Sequence, residues 1–503
     1  MPNYKNLLII SILILIVGGT FYFSKIFEQH SISYCTKKIV SYAQDQTKPT
    51  PNIQDYKDAN ISNITSHNID NINRKIVQIE TDEGDITYKY DPTKDYDYTF
   101  GNSKVQTILK QLEHNSIHLD QNNFDQNMTV LLKLNVSTDR LGKYFVPQIT
   151  TIYQGKNYTH TLESGANGIR YLNLTALNIK PNTTIKFKTH HIILKNQEVA
   201  FMLFKNPDIS NKKILIIAPH PDDAEIAAFG LYSEHPEQTY IVTITAGDAG
   251  PTDVYTDVFS TTQEQFNYKG RRRTIDSITV PLLGSVPPAH SLNLGYFDSS
   301  LYTMKHNKSG SIQSTTVPKN SILSYRQYNV SPLIKGLDTN SSWTSLVNNL
   351  VTLLDKIQPD IIILPHPKLD RHIDHKLSTE ALFEALKKSK IRTGKLLLYT
   401  NHATRSEYYP YGSKGEAITL PPEFTGTVYF NSIFSYPLSI ETQKNKMFAL
   451  EAMSDLRYGT TKRFFLDPCK NKPIIVCKDY SYVRRSIRNN ELFFVIDIES
   501  IFK

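Results

Sequence analysis

Cysteine is scarce in this sequence, with three residues among 503, at positions 35, 469 and 477. None of the three has the spacing of a zinc finger, so that class of metal site is excluded. Cys469 and Cys477 bracket the short segment CKNKPIIVC, which could close as a disulfide in an oxidising compartment. Two free thiols are the alternative, and the sequence leaves both open.

Blocks of positive charge are also nearly absent, although the formal net charge is +8. The one cluster is KGRRR at residues 269–273. A nucleic-acid-binding protein usually concentrates its basic residues in such blocks, so we do not expect a nucleic-acid partner. A mildly basic balance also suits anionic membrane surfaces or phosphate-bearing glycans.

Charge is missing altogether from residues 6–24, NLLIISILILIVGGTFYFS, which follow Lys5. Such a segment is long enough to span a bilayer as a helix. A cleaved signal peptide is the alternative, but it has a shorter apolar core and a small-x-small exit, which is not clear here. We therefore predict a single uncleaved membrane anchor. Lys5 and Lys25 do not fix its orientation strongly, and we expect the bulk of the chain outside the cytoplasm, on the periplasmic or outer face.

Two regions separate this anchor from the C-terminal half of the chain. Residues 25–70 are polar and rich in Asn, Asp, Ser and Lys, which predicts a linker or stalk. Residues 71–207 contain short alternating strand candidates, such as MTVLLKLNV and EVAFMLF, separated by turn residues. That pattern predicts a β-sandwich. The sandwich could bind glycan through exposed aromatics, or it could be a spacer or packing domain.

From residue 209 onwards, fully apolar strands alternate with helical patterns. The segments KKILIIAP, TYIVTITAG, DIIILPHP and GKLLLYTNH are strands of the buried parallel type. Helical segments such as SWTSLVNNLVTLLDKI fall between them. This alternation predicts an open α/β sheet covered by helices on both faces, over residues 209–503. Ligands bind to such sheets beyond the carboxyl ends of the strands.

Two of these strand ends carry side chains that bind metals or move protons. One lies in ILIIAPHPDDAEIAAFG, residues 214–230, and the other in HPKLDRHIDH, residues 366–375. The side chains are His220, Asp222, Asp223, His372, Asp374 and His375. Two histidines and one carboxylate form a common catalytic zinc shell that leaves a position for water, and an adjacent carboxylate can take the proton of that water. Either motif alone could be a helix cap, but the two together favour a metal site.

The segments PHPDDAEI and DRHIDH closely resemble the LmbE-like, or PIG-L, family of zinc-dependent de-N-acetylases. That family carries an [AP]-H-P-D-D signature near its first strand and an H-x-D-H signature further on. The resemblance runs from about residue 211 to 503, with weaker matches at TITAGDAG, RRRTIDSITVPLLG, LNLGYFDSSL and QKNKMFALEAMSD. It implies a Rossmann-like three-layer α/β/α deacetylase domain, preceded here by the β-sandwich domain and the N-terminal transmembrane helix.

The resemblance also implies Zn²⁺ as cofactor and a role for each motif residue. His220, Asp223 and His375 would bind the zinc ion. Asp222 would be the general base that activates water, and later the acid that protonates the leaving amine. His372 would stabilise the oxyanion, and Asp374 would hold His372 in its charged orientation.

Two further residues are implied on the substrate side. Arg272 matches the substrate-side arginine of the family, and Asp298 would contact a sugar hydroxyl. The chain departs from the family pattern twice. Ala224 follows the aspartate pair where the family has glutamate, and the Arg-x-x-Glu pattern becomes Arg272-Arg-Thr-Ile275.

The implied function is hydrolysis of an N-acetyl group on an N-acetylated amino sugar, in a glycan or glycolipid of the cell envelope. The polar segment 299–342 predicts an insertion over the active-site face, either a lid or a substrate-binding surface. One alternative is a zinc amidase that acts on a non-sugar amide. Another is a glycan-binding protein with a degenerate catalytic domain, although every implied ligand and the base are present. The oligomeric state is left open.

Overall fold

A computed structural model describes residues 91–502, except for short internal gaps and one longer gap. The gaps are 102, 121–123, 125–126, 253–254, 257, 308–309, 319–320, 404–408 and 457–481. The predicted anchor at 6–24, the linker at 25–70, the first part of the 71–207 region and all three cysteines lie outside the described residues. Among the described helices, none is both long and apolar enough to cross a membrane.

The N-terminal part of the described chain consists of strands. They are β1 (Val105–Leu112), β2 (Ser116–Leu119), β3 (Met128–Thr138), β4 (Gln148–Tyr153), β5 (Lys156–Thr161), β6 (Asn167–Asn173), β7 (Thr183–His190), β8 (Ile192–Ile193) and β9 (Gln197–Lys205). One antiparallel sheet has the order β1-β9-β3-β6, with β8 paired to β3, and a second has the order β2-β7-β4-β5. The strand-rich region predicted from the sequence is therefore confirmed.

Alternation along these strands builds the core between the two sheets. Val199, Phe201 and Leu203 from β9 meet Ile185 and Phe187 from β7 in one buried cluster. Because successive side chains of a strand point to opposite faces, these residues are two positions apart.

The β1-β9-β3-β6 sheet is also covered on its second face. Met202 and Phe204, which alternate with the residues above, belong to a buried cluster that continues into the C-terminal region. Hydrogen bonds cross the same boundary: Asn173 Nδ2 donates to Ser435 Oγ at 2.9 Å, and Ser435 N donates to Thr129 Oγ1 at 2.8 Å. The strand-rich region and the C-terminal region thus share one core.

The C-terminal region contains a seven-stranded sheet. Its strands are β10 (Ile214–Ala218), β11 (Thr239–Thr245), β12 (Ser291–Tyr296), β13 (Ile361–Pro365), β14 (Lys395–Tyr399), β15 (Ser432–Pro437) and β16 (Asn490–Asp497). Their order is β12-β11-β10-β13-β14-β16-β15. The first five strands of that order are parallel, and β16 runs antiparallel to both of its neighbours.

Helices connect and cover these strands. They are α1 (Asp223–Glu234), α2 (Thr262–Thr279), α3 (Leu301–His306), α4 (Leu323–Arg326), α5 (Trp343–Ile357), α6 (Ile373–Lys388), α7 (Ile440–Ala452) and α8 (Tyr482–Ser486). Side chains of α5 and α6 pack on one face of the sheet, and those of α1 and α7 pack on the other. The predicted α/β sheet with helices on both faces is confirmed.

The order of the parallel strands creates a crevice between β10 and β13. Ile214, Leu215 and Ile216 of β10 pair with residues 361–363 of β13, although the paired residues are 147 positions apart in sequence. The chain leaves β10 towards β11 and leaves β13 towards β14, in opposite directions along the sheet. Connections that diverge in this way open a ligand-binding crevice at the carboxyl ends of the two strands.

Candidate active site

The two predicted motifs lie side by side at this crevice. His220 is two residues beyond the end of β10, and α1 begins at Asp223. After β13, the chain passes through a short loop to His372, the N-cap of α6. Both motifs therefore stand at a junction between a strand and a helix, where side chains at the carboxyl edge of the sheet converge.

His220, Asp223 and His375 bring three ligand atoms into a nearly equilateral triangle. His220 Nδ1 lies 3.2 Å from His375 Nε2, and Asp223 Oδ2 lies 3.3 and 3.1 Å from these two nitrogens. Zinc bonds of about 2.0–2.1 Å in a tetrahedron separate neighbouring ligand atoms by about 3.3–3.4 Å. The three atoms thus have the spacing of one face of a tetrahedral zinc shell.

His220 also takes part in two other groupings of possible ligands. His220, His372 and His375 form one, and His220, Asp298 and Asp374 form another, each with ligand atoms within 4.8 Å of one another. The second uses the other ring nitrogen, since His220 Nε2 lies 3.3 Å from Asp298 Oδ1 and 3.5 Å from Asp374 Oδ2. A neutral imidazole that binds a metal through Nδ1 donates its Nε2–H to such a carboxylate. We therefore assign Nδ1 to the metal side.

Two buried residues that the sequence patterns did not single out support the ligands. Asp370 Oδ2 lies 3.1 Å from His375 Nδ1, which leaves Nε2 of that ring for a metal. Asn401 Nδ2 donates to Asp223 Oδ1 at 2.7 Å, which leaves Oδ2 facing the histidines. Both residues lie in loops that follow parallel strands, β13 and β14, and this position is the one feature of the sequence that points to them.

Asp222 has an unusual backbone conformation. Its φ of +143° lies in a region that non-glycine residues rarely adopt. Asp222 is the residue before α1, and its carboxylate is only partly buried, whereas that of the neighbouring Asp223 is buried. The two adjacent carboxylates therefore face different surroundings, as a division between base and ligand requires.

The arginine that contacts Asp222 is Arg273, the residue after Arg272, and the predicted substrate-side role of Arg272 stays a prediction. Arg273 Nη2 donates to Asp222 Oδ2 at 3.0 Å. Arg272 points elsewhere: its Nε lies 3.3 Å from Asp276 Oδ1, and its side chain is 39% exposed. Consecutive residues of a helix point about 100° apart, so only one of the three arginines can face the crevice. Counted from Arg273, the family pattern reads Arg-x-x-Asp and ends at Asp276.

His372 and Asp374 are both at the site, but their contact differs from the one implied by the resemblance. The backbone N–H of Asp374 donates to His372 Nδ1 at 3.3 Å. The Asp374 carboxylate instead accepts a 2.7 Å hydrogen bond from Ser299 N and faces His220. Burial and the nearby His220 and His375 lower the pKa of His372 well below its usual value. His372 is therefore a neutral ring whose proton is on Nε2.

Asp298 is likewise at the site and almost fully buried. In addition to its contact with His220, its Oδ1 accepts a hydrogen bond from Ser299 Oγ at 3.2 Å, and its Oδ2 lies 4.0 Å from Arg273 Nη1. This carboxylate orients His220, and the predicted contact with a sugar hydroxyl stays a prediction.

Buried carboxylates outnumber buried cations around His220. The buried acidic residues are Asp223, Asp298, Asp370 and Asp374, and Arg273 is the buried arginine beside them. Burial raises the pKa of Asp222 to about 7. The nearby Asp223 charge raises it further, and the Arg273 charge offsets only part of the increase. Several buried carboxylates grouped around histidine nitrogens form a donor set that fits a divalent cation such as zinc.

The 299–342 segment is fastened to this face of the domain. Besides the contact of Ser299 with Asp374, Ser314 Oγ and Thr316 Oγ1 donate to Asp248 Oδ2 at 3.2 and 3.0 Å. Asp248 Oδ1 in turn accepts the N–H of Asp298 at 2.8 Å. The segment is thus linked to the site through buried aspartates, as an insertion over the active-site face would be.

Comparison with known proteins identifies the same part of the chain. The family described as PIG-L, GlcNAc-PI de-N-acetylase, matches residues 215–386. That range contains both motifs, Arg273 and the β10–β13 crevice. No curated protein matches the chain.

Among solved structures, the chain is similar to the zinc-inhibited form of teicoplanin deacetylase Orf2, at 14% identity and a TM-score of 0.31, over 56% of this chain and 98% of that one. It is also similar to GalB, the 4-carboxy-2-hydroxymuconate hydratase of Pseudomonas putida KT2440. There the identity is 12% and the TM-score 0.30, over 57% of this chain and 95% of that one. The family match and the two motifs at the switch point of the sheet carry the assignment. Residues 215–386 of the α/β domain thus match the LmbE-like, or PIG-L, family of de-N-acetylases.

Proposed function

We propose that this protein is a zinc-dependent hydrolase that removes the N-acetyl group from an N-acetylated amino sugar, in a glycan or glycolipid of the cell envelope. The observation that carries the proposal is the triangle of His220, Asp223 and His375, with Asp222 and His372 as the partly exposed side chains beside it. A ligand set, a base and a hydrogen-bond donor in one crevice are the parts that amide hydrolysis needs.

Asp222 takes the proton of the attacking water in this mechanism. Its raised pKa, about 7, lets one Oδ atom accept that proton near neutral pH and later give it to the nitrogen of the leaving amine. Arg273 Nη2 donates to Oδ2 of this carboxylate, which fixes the orientation of the other oxygen, the one that accepts the proton. Base and acid are thus the same side chain at two stages of the reaction.

His372 supports the carbonyl oxygen of the acetyl group. Its Nδ1 accepts the N–H of Asp374, so its proton is on Nε2 and can be donated to the oxygen as negative charge develops there. The ring is partly exposed, as contact with a substrate requires. A neutral donor stabilises the oxyanion without losing its proton to the product.

The metal would be held by His220 Nδ1, Asp223 Oδ2 and His375 Nε2. When bound there, zinc supplies Lewis-acid polarisation and lowers the pKa of water. Burial lowers the pKa of His220, but Asp298, Asp223 and Asp374 outweigh burial and hold it well above its usual value. Since a metal ligand must be unprotonated, metal and proton compete for this ring.

The test is acetate release from N-acetylglucosaminyl compounds by the zinc-loaded protein. We expect Asp222→Asn to lower the rate by about 10²–10⁴-fold, because the general base is lost, while bound zinc stays at the wild-type level. Glu441→Gln removes a carboxylate with 72% side-chain exposure on α7 and is the matched control. Wild-type activity in Asp222→Asn, or a purified protein that binds no metal, would overturn the proposal.

Two further parts of the proposal concern substrate and location. A panel that includes acylated amines separates an amino-sugar deacetylase from an amidase of non-sugar amides, because the latter would release acetate from none of the sugars. We also propose that residues 6–24 anchor the chain in a membrane with the catalytic domain on the extracytoplasmic side. Protease protection of a C-terminal tag in intact cells would place the domain in the cytoplasm instead.

A further inference from the structure

Arg273, which holds Asp222, is itself held by an aspartate from a distant part of the chain. Asp455 Oδ2 lies 3.2 Å from Arg273 Nε and 3.2 Å from Lys269 Nζ. We propose that Asp455 is a positioning residue for deacetylation: it fixes the plane of the Arg273 guanidinium and thereby the direction of the Asp222 carboxylate. This inference rests on the proposed function.

The guanidinium of Arg273 is anchored along both of its edges. Nη2 donates to Asp222 Oδ2 and to the carbonyl of Pro221, both at 3.0 Å, and Nη1 donates to the carbonyl of Gly247 at 3.3 Å. Asp455 Oδ2 forms an ion pair, and not a hydrogen bond, with the remaining nitrogen, Nε. Because the group is planar and rigid, the hydrogen bonds of the two Nη atoms and the charge of Asp455 beside Nε together determine its orientation.

The backbone beside Arg273 is shaped to admit this side chain. Gly247 has a φ of +66°, and a Cβ at this position would lie 2.6 Å from Arg273 Nη1. Glycine therefore serves twice here, since it adopts the left-handed conformation and leaves room for the guanidinium. The arginine position is thus built into the loop after β11.

Asp455 reaches Arg273 because its own segment is fastened to α2. Asp455 lies three residues beyond the end of α7, and the preceding Ser454 donates its N–H to Asp276 Oδ2 at 2.9 Å. Asp276 lies one helical turn after Arg273 in α2. This backbone contact does not involve the Asp455 side chain, so a substitution of that side chain leaves the attachment in place.

Charge balance also requires an anion at this position. Lys269 and Arg273 are four residues apart on α2 and both are buried, so their like charges face the same space. The Asp455 carboxylate lies between them, and Lys269 Nζ also donates to the carbonyl of Pro251 at 3.1 Å. Without this carboxylate, repulsion from Lys269 would move the Arg273 guanidinium, and its hydrogen bond to Asp222 would change.

The experiment compares Asp455→Asn and Asp455→Glu in the full-length, zinc-loaded protein. We expect Asp455→Asn to lower kcat by about 10–100-fold with KM and zinc content near wild type, because small displacements at a reacting centre have effects of that size. Asp455→Glu should recover part of the loss, since the charge is kept. Glu441→Gln is the control on the neighbouring helix. A wild-type kcat in Asp455→Asn, or a loss explained by lost zinc, would overturn the proposal.

A second measurement tests the contact without using activity. Asp455→Asn, Arg273→Gln and the double variant are unfolded in urea, and we expect the two destabilisations to be non-additive. Additive effects would mean that the side chains do not interact, which overturns the proposal. An inactive wild-type protein would overturn the proposed function, and the role of Asp455 with it. An active wild type with an unaffected Asp455→Asn would overturn the role of Asp455 alone.

Discussion

Replacing Asp370 by asparagine should weaken zinc binding, although the three proposed ligands, His220, Asp223 and His375, are unchanged. Asp370 is fully buried, and its Oδ2 faces His375 Nδ1 at 3.1 Å. The positive charge that His375 can carry holds the pKa of Asp370 well below its usual range, although burial opposes this. The ionised carboxylate therefore orients the His375 ring and makes its Nε2 a better donor to the metal.

The size of the effect follows from the other contacts of Asp370. Oδ2 also accepts the N–H groups of Asn401 and His402, at 2.9 and 3.1 Å, and Oδ1 accepts that of His372 at 3.1 Å. An asparagine amide group at either oxygen position would face a backbone donor. We expect a zinc affinity lower by about 10–100-fold, or about 1.4–2.7 kcal/mol. The metal-free protein should lose about 1–3 kcal/mol of unfolding free energy through the unmade hydrogen bond.

Zinc affinity is measured by competition with a chromophoric chelator at neutral pH, and unfolding by urea in the presence of EDTA. Asp360→Asn is the matched control, because the Asp360 carboxylate also accepts a backbone N–H, from Lys213 at 2.9 Å, but lies at the other end of β13. A folded Asp370→Asn variant that binds zinc as tightly as this control would refute the assignment of His375 as a ligand oriented by Asp370.

Three further changes test the site and the fold. Gly247→Ala should lower kcat for acetate release at least tenfold, since its Cβ would displace the site arginine; Gly336→Ala, at a similar φ of +77° but with no atom within 4 Å of the added Cβ, should keep kcat near wild type. Lys446→Met should lower the free energy of unfolding in urea by about 3–5 kcal/mol, because it leaves the buried Glu491 without the cation now 2.7 Å away. Burial lowers the pKa of His160 from its usual value of about 6.5 to about 4, so the unfolded chain takes up a proton at a higher pH than the folded one. His160 alone should therefore lower the stability by about 3 kcal/mol as the pH drops from 6.5 to 4, and urea titrations of a His160→Gln variant should show a smaller fall than the wild type.

The α/β sheet and the closeness of the two histidine- and aspartate-containing motifs were predictable because each leaves a local pattern. Strands such as Ile361–Pro365 are apolar throughout, since both faces of a parallel sheet are covered. The rule that ligands bind at carboxyl strand ends then brings His220 and His375 together. Burial and chain topology thus leave a signal in the sequence that can be read without the structure.

The choice between Arg272 and Arg273 could not be made locally. Residues 271–273 are all arginine, so the sequence pattern alone does not show which of them faces the crevice. Tertiary contacts decide this, because they set the rotation of α2 about its axis. A Cβ at Gly270 would lie 2.7 Å from the Cβ of Asp248, so this side of the helix packs closely against the crevice. Arg273, one turn later, shares that side.

Asp370 and Asn401 were missed for a different reason. Both lie in irregular loops, where no periodicity distinguishes a buried polar side chain from an exposed one. Asn401 contacts Asp223, which is far away in the sequence. Asp370 contacts His375 from within the same motif, where its own role is not distinguishable from the sequence.

Both faces of the sheet β1-β9-β3-β6 are covered, and this limits where the chain can be cut into fragments that still fold. A fragment that begins at residue 209 would leave bare the apolar surface that now packs against Met202 and Phe204. It would also lose the hydrogen bonds that join Ser435 to Asn173 and Thr129. Such a fragment should be poorly soluble, and a catalytic preparation should keep the strands that start at Val105. Because the strand-rich region and the C-terminal region share this surface, a substitution on one side of it has to be accommodated by the residues on the other side.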